Sequence, residues 1–369
     1  MAYVLLFYAA IYPINFQIQT NKIIVYYNVY RVVYKVIFKT TNKQKDQIVM
    51  LRNEMYSKKP ILVILAAGMA SRYGSAKQVE CFGPFGEKII DYSIYDAIKA
   101  GFGKVVFVIR EEFLEVMKTN VGDKLPDSVE VAYAYQDFDL KKFGVDRVVE
   151  RQKPWGTGHA VMSAEQEVDR PFCVINADDF YGYDAFQKMA TFLQHQANDT
   201  EMALVGFEVG NTLSDFGYVS RGVCEVNATN HLQSVTERTN IYRKASDIVY
   251  AQGEQETVLP ENTRVSMNFW GFTPKIFEIA RALFPDFVEQ NHENPKAEFF
   301  IPDLPDYMVK QGIANFSVLP TDAKWFGVTY KEDKDQVQQS IHQLIERGNY
   351  PQRLWPEKKV VDESIYLDF

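Results

Sequence analysis

Three short stretches of the chain combine residue types suited to holding phosphates and metal ions. The first is Leu65-Ala66-Ala67-Gly68-Met69-Ala70-Ser71-Arg72-Tyr73-Gly74, followed by Ala76-Lys77-Gln78. Small residues let backbone N–H groups approach a ligand closely, and Arg72 and Lys77 add a bidentate fork and a point charge, a pair that suits a polyphosphate. A tight strand-to-helix turn with two solvent-facing cations would read the same way. The run is not a Walker loop, because no Gly-Lys-Ser/Thr follows, and Ala70 breaks the pattern G-x-G-x-x-G.

The second stretch is Asn176-Ala177-Asp178-Asp179-Phe180-Tyr181-Gly182. Adjacent carboxylates repel one another and are costly to bury unless a cation neutralises them. Mg²⁺ takes one or two carboxylates and completes its shell with phosphate oxygens and water. The plainer alternative has one Asp capping the next helix and the other solvated. The third stretch is Lys153-Pro154-Trp155-Gly156-Thr157-Gly158-His159-Ala160, where a Gly-Thr-Gly turn opening a helix presents N–H groups without helical partners. His159, at a helix start among small residues, reads as a packing or capping residue rather than a general base.

The elements that must position these stretches alternate. Ile61 to Leu65 is a continuous apolar run, the pattern of a strand buried on both faces of a parallel sheet. Asp91 sits where an N-cap belongs, ahead of a helix with Ile94, Ala97 and Ile98 inward and Gly101 as its stop. Further strands are expected at 105–109, 129–135 and 172–176, and helices at 158–167 and 185–195. After residue 200 short strands dominate (203–209, 217–221, 232–237 and 265–272), with one helix near 274–284. Strands alternating with helices give an α/β fold with a doubly wound sheet. The later strands read as completion of that sheet plus a β-rich insertion covering its mouth.

The three stretches together resemble the nucleotidyltransferase superfamily that makes activated sugars, whose signature is L-A-A-G-x-G-[TS]-R-x(n)-P-K. The likeness extends over most of residues 60–335 and implies a Rossmann-like, mostly parallel sheet with a β-rich sugar-binding insertion. Ala70 and Ala76 depart from it, standing for the second glycine and for the proline before the lysine. The resemblance implies that Ala66, Ala67, Gly68, Gly156, Thr157 and Gly158 contact the nucleotide. By the same likeness Arg72 holds the β- and γ-phosphates, Lys77 neutralises charge near the α-phosphate, and Asp178 is the Mg²⁺ ligand, with Asp179 its neighbour. Val235-Thr236-Glu237-Arg238 is similar to the family's V-x-E-K segment and Ser266 to Phe272 to its N-x-G strand, which nominates Glu237 and Asn268 for the sugar pocket. At the family's second metal-ligand segment this chain offers Gly327 or Thr329.

The implied activity is transfer of a nucleoside monophosphate from an NTP, UTP first, to a sugar 1-phosphate, giving NDP-sugar and pyrophosphate. Lys77-Gln78 is similar to the cytidylyltransferases of isoprenoid synthesis and keeps CTP open. The alternatives are a cytidylyltransferase acting on a non-sugar phosphate, and an inactive protein that binds nucleotide sugars.

Charge separates two unlike parts. The 369 residues carry 40 Lys+Arg against 48 Asp+Glu, a formal −8. Residues 1–58 hold eight Lys/Arg and two Asp/Glu, so the remainder holds 32 against 46, a balance that argues against gripping nucleic acid. Residues 1–58 contain no glycine and are rich in aromatics. The apolar run from Val4 to Phe16 is too short for a membrane helix and Pro13 interrupts it. A peripheral segment and a membrane anchor stay open. The composition also matches translated AT-rich upstream DNA, with Met50 and Met55 as internal starts, and we expect an extension foreign to the native product.

The organisation expected is therefore this extension, a nucleotidyltransferase domain at 59–335 (a nucleotide half at 59–200, a substrate half at 201–335), and a helical tail at 336–369. Three widely spaced cysteines and no export signal point to the cytoplasm, and the absence of C-x-x-C or spaced histidines argues against structural zinc.

Overall fold

The computed structural model describes residues 59–68, 81–147, 149, 151, 153–327 and 333–356. These belong to a compact unit, Ser57–Phe369. The expected extension, Arg72, Lys77 and Thr329 lie outside the described residues.

In the first half the chain forms β1 (Ile61–Leu65), α1 (Ile89–Ala100), β2 (Lys104–Ile109), α2 (Leu114–Asn120), β3 (Glu130–Tyr135), α3 (Thr157–Ser163), β4 (Phe172–Asn176), β5 (Asp179–Phe180) and α4 (Tyr183–His195). It continues with β6 (Glu201–Glu208), β7 (Val219–Val226), β8 (Leu232–Lys244), β9 (Asp247–Gln252), β10 (Gln255–Leu259) and β11 (Arg264–Phe272). Then follow α5 (Lys275–Asn291), α6 (Asp303–Lys310), β12 (Asn315–Thr321), β13 (Phe326–Gly327) and α7 (Asp333–Glu346).

One 11-stranded sheet runs β10-β9-β8-β7-β11-β4-β1-β2-β3, with β6 paired to β11 and β12 to β6. β4, β1, β2 and β3 are parallel, as the apolar runs required. Leu62 and Ile64 face one buried layer with α1 and α4, whereas Ile61 and Val63 face another with α3, Trp155 and α5. Burial on both faces is the reason β1 shows no polar alternation.

Beyond β4 the sheet turns antiparallel, through β11 and β7 to the β8, β9 and β10 meander. The expected insertion is thus an edgewise continuation of the same sheet. β8 runs on to Lys244, and the β9–β10 hairpin lies outside the expected strands: four of the five β10 residues are exposed and carry no hydrophobic alternation.

Asp91 is not the N-cap of α1. That place belongs to Lys88, whose N–H donates to the Asp91 carboxylate at 2.8 Å, so Asp91 closes a capping box from inside the helix. Burial of Ile89 and Ile90 draws the helix start three residues earlier than the acid suggested, from an N-cap at 91 to one at 88. Gly101 ends α1 in the left-handed conformation (φ 108), as expected.

α7 begins at Asp333, ahead of the expected boundary at 336, and the chain after it returns to α1. There Tyr350 Oη donates to Asp96 at 2.6 Å and Leu354 and Trp355 are buried. No helix among the described residues is long and apolar enough to cross a membrane.

Candidate active site

A cleft of about 320 Å³ opens past the carboxyl end of β4, the edge at which open α/β sheets bind ligands. One wall comes from the parallel half, with Asn176, Asp178 and Asp179. The other comes from the antiparallel half, with Ser220, Arg221, Glu237, Ser266 and Asn268.

Asp179 is fixed through one oxygen. Its Oδ2 accepts from Asn176 Nδ2 at 2.9 Å and stands 3.1 Å from Tyr181 Oη. That hydroxyl receives the Asn176 N–H at 3.1 Å and also lies 3.0 Å from the Met267 carbonyl, so its single proton serves one of two acceptors at a time. Burial, and then the charge of Asp178, push the Asp179 carboxyl above the usual carboxylate range, while the donors on it and the Arg221 charge pull it back.

β5 pairs with β13, which places Gly327 directly opposite Asp179, and Phe180 stacks on Phe326 at 4.2 Å. A Cβ at position 327 would lie 2.9 Å from Asp179 Oδ1, so the carboxylate occupies the space a side chain there would need.

The second wall depends on strand irregularities. Two extra residues in β11 shift its register against β6 between Ser266 and Trp270, and within that bulge Asn268 adopts φ 58. Asn tolerates the left-handed region better than most residues, and a bulge re-aims a side chain. Asn268 Nδ2 reaches Asn176 Oδ1 at 3.5 Å, linking the two walls. Glu237 stands at the exposed cleft edge, opposite Gly222 on β7. Partial desolvation raises its carboxyl and Arg221 lowers it.

Sequence reading missed two residues here. Asn176 was visible only as part of a motif. Arg221, 8% exposed on β7, shows no local signal beyond a charge inside a strand, next to a glycine.

The other expected residues are placed as follows. Ala66 is buried at the end of β1 and its N–H donates to the Val108 carbonyl at 2.8 Å; Ala67 is nearly buried. Gly68 is exposed, has no positive φ, and a Cβ there would meet nothing within 4 Å among the described residues.

Gly156 is the opposite case. It has φ 97, and a Cβ would lie 2.7 Å from the Phe299 carbonyl. Gly158 N–H donates to Phe299 O at 2.8 Å, Thr157 Oγ1 accepts the Ile301 N–H at 3.1 Å, and Gly156 O accepts Gln136 Nε2 at 2.9 Å. The Gly-Thr-Gly turn is thus bound to the 299–301 segment, and none of its residues is among the described lining of the cleft. His159 is fully buried, stacked on Phe284 at 5.3 Å with Phe143 edge-on. Burial, with the charges of Lys142 and Arg151, pulls its pKa down to about 3, so it is a neutral packing residue at physiological pH.

The donor set can be tested against a divalent cation. No three of His, Cys, Asp and Glu converge among the described residues, so a cation here would rest on one or two carboxylates plus oxygens from substrate and water. That all-oxygen, part-protein shell suits Mg²⁺ and disfavours Zn²⁺. The glycine at 327, which leaves the Asp179 carboxylate its space at the cleft, fits the same picture.

Solved structures and a family model resemble this chain. Among solved structures, the inositol-1-phosphate CTP transferase from T. maritima aligns with a TM-score of 0.52 at 14% identity, covering 78% of this chain and 97% of that one. A putative glucose-1-phosphate thymidylyltransferase from Bacillus anthracis, in complex with a sucrose, gives 0.49 at 13% identity over 76% and 94%. A UDP-glucose pyrophosphorylase complexed with UDP-glucose gives 0.49 at 17% over 77% and 99%. No curated protein sequence matches the chain. The family model described as nucleotidyl transferase matches residues 61–329, most of the folded unit and both walls of the cleft, and the chain belongs to that family.

Proposed function

We propose that the chain transfers a nucleoside monophosphate from an NTP to the phosphate of a sugar 1-phosphate, releasing pyrophosphate and an NDP-sugar. The observation that carries this reading is the convergence of Asp178 and Asp179, from the β4 end, with Glu237 and Asn268, from β8 and β11, on one polar cleft. The first pair suits a metal-bound polyphosphate; the second suits a hydroxylated acceptor.

Attack on the α-phosphorus comes from a phosphate oxygen already ionised at neutral pH. No general base is needed, which agrees with the burial of His159. The residues act by alignment and charge neutralisation. Asp178 would hold Mg²⁺, with Asp179 beside it, and the ion when bound supplies charge compensation to the phosphate oxygens. Arg72 would grip the β- and γ-phosphates and Lys77 would face the α-phosphate, both from the stretch that follows β1 in the sequence. Ala66, Ala67 and the exposed Gly68 would contact the nucleotide at the end of β1. Gly156, Thr157 and Gly158 would border the nucleotide through the turn they build against 299–301. Glu237 and Asn268 would accept from and donate to acceptor hydroxyls.

UTP is the preferred donor in this reading. CTP with a cyclitol or other non-sugar phosphate is the competing pair, and the T. maritima structure named above is that of a CTP transferase. The three cysteines, all thiols, suit a reducing compartment such as the cytoplasm. A matrix of four NTPs against sugar 1-phosphates, inositol 1-phosphate and phosphocholine, scored by Mg²⁺-dependent pyrophosphate release, tests the reading. Release with UTP and a sugar 1-phosphate supports it. Binding of NTP and NDP-sugar without release from any pair would favour the inactive nucleotide-sugar-binding protein instead.

A further inference from the structure

The antiparallel wall contains one charged side chain that the reaction above does not use. Arg221 is nine-tenths buried, and its groups are almost fully engaged by the protein itself. Nη1 donates to the Ser220 carbonyl at 2.8 Å and Nη2 to the Thr212 carbonyl. The guanidinium lies over the Trp325 ring, 4.6 Å from its centroid. Nε is buried with no hydrogen-bond partner among the described residues. A buried cation with an unpaired donor is a poor stabiliser, since an apolar side chain of similar volume is often neutral or better in such a place. Stability alone does not explain it.

What the guanidinium holds does. Trp325 precedes β13, and its ring edge packs against Gly327, where a Cβ would come 3.0 Å from the indole. Gly327 in turn is the strand partner of Asp179. Trp325 and Gly327 line both this cleft and a second cavity of about 160 Å³. The two-residue strand that backs the Asp179 carboxylate therefore borders two cavities.

We propose that Arg221 is the positioning residue of this cleft: by fastening Trp325 and the Thr212 turn to β7, it keeps β13 and the Asp179 carboxylate in register with the acceptor wall. Its functional part rests on the nucleotidyl transfer reading; the clamp itself does not. Burial lowers the Arg221 pKa to about 10, and the nearby carboxylates of Asp179, Glu237 and Asp333 oppose that fall, so the group stays charged at neutral pH. A lysine in its place keeps the charge and loses the planar fork that spans two carbonyls while lying over the indole.

Arg221→Met, Arg221→Lys and Trp325→Leu in the full chain test this by hydrogen exchange and kinetics. In Arg221→Met and Trp325→Leu, exchange should rise locally in 209–213 and 323–327 while the parallel half keeps its protection. With UTP and glucose 1-phosphate, Arg221→Met should lose about 10- to 100-fold in kcat/KM for the acceptor, the scale of a small misplacement of reacting groups, with the KM for UTP little changed. Arg221→Lys should fall between Met and wild type. Wild-type exchange in both segments of Arg221→Met would overturn the clamp, as would exchange raised evenly through the molecule. Local exchange changes with unaltered kinetics would overturn the positioning role. A wild-type chain inactive with every donor and acceptor would defeat the transfer reading, and the exchange result would still decide the clamp.

Discussion

Gly156-Thr157-Gly158 and Asn176 to Asp179 both look like ligand-binding motifs, yet the fold treats them differently. The first is drawn inward: its polar groups are bonded to 299–301 and to Gln136, and its glycine is required by the Phe299 backbone. The second is turned outward, with Asp178 and Asp179 at the cleft and Asp179 oriented by donors that come from behind it. The difference shows that a glycine can mark close approach of the protein's own backbone as readily as that of a ligand, and only the neighbours tell which.

The largest effect expected from breaking this contrast is on the outward segment. Asp178→Ala should cost about 10²–10³ in turnover, as should Lys77→Ala, since each removes a charge placed where the reaction develops it. Pyrophosphate release measures both, and near-wild-type rates would remove those residues from the chemistry.

Gly156→Ala should instead appear first as lost stability, about 1–3 kcal/mol from the positive φ with a further cost from the Phe299 contact, read as a fall in Tm. A KM effect on UTP without a Tm change would mean that the turn faces the nucleotide more directly than its bonding suggests. Glu237→Ala should raise the acceptor KM about tenfold, the scale of a hydrogen bond to a charged group, and leave the UTP KM alone. An unchanged acceptor KM would take Glu237 out of the pocket.

The smallest and most specific effect concerns His159, beside the inward segment. Its folded pKa is depressed to about 3, against roughly 6.5 in the unfolded chain. Between those values the unfolded state binds a proton that the native state does not, so stability increases with pH across that window and declines on acidification. Going from pH 7 to pH 5 should cost about 2 kcal/mol from this group. His159→Phe, which keeps the stack on Phe284, should flatten that dependence in denaturant titrations and lose far less activity than the roughly 10²–10⁴-fold a general base supplies. A loss of that size would reinstate His159 in catalysis.

Much of the parallel half was legible because its physics is local. Ile61 to Leu65 and Phe172 to Asn176 are buried on both faces and read as unbroken apolar runs, and Gly101 stops α1 where a left-handed residue is needed. The antiparallel half was legible only in part. β10 is nearly all exposed and leaves no pattern, and the β11 bulge at Asn268 depends on pairing with β6, more than fifty residues earlier in the chain. Asp91 was misplaced for a related reason: the start of α1 is decided by the burial of Ile89 and Ile90, which outweighs a capping preference.

The sequence by itself therefore determined the chemistry on offer. It showed the cation-bearing stretch from Arg72 to Lys77, the paired carboxylates Asp178 and Asp179, and the candidates Glu237 and Asn268. Residue type and short spacing carry that information, because a carboxylate or a small-residue turn has its properties wherever it stands. Tertiary structure alone decided which of these meet. It turned Gly158 toward Phe299, buried His159 as a neutral ring, set Gly327 opposite Asp179, and brought Arg221 under Trp325. Such contacts join residues tens to more than a hundred positions apart, and they are fixed by strand register, bulges and packing that no local pattern encodes.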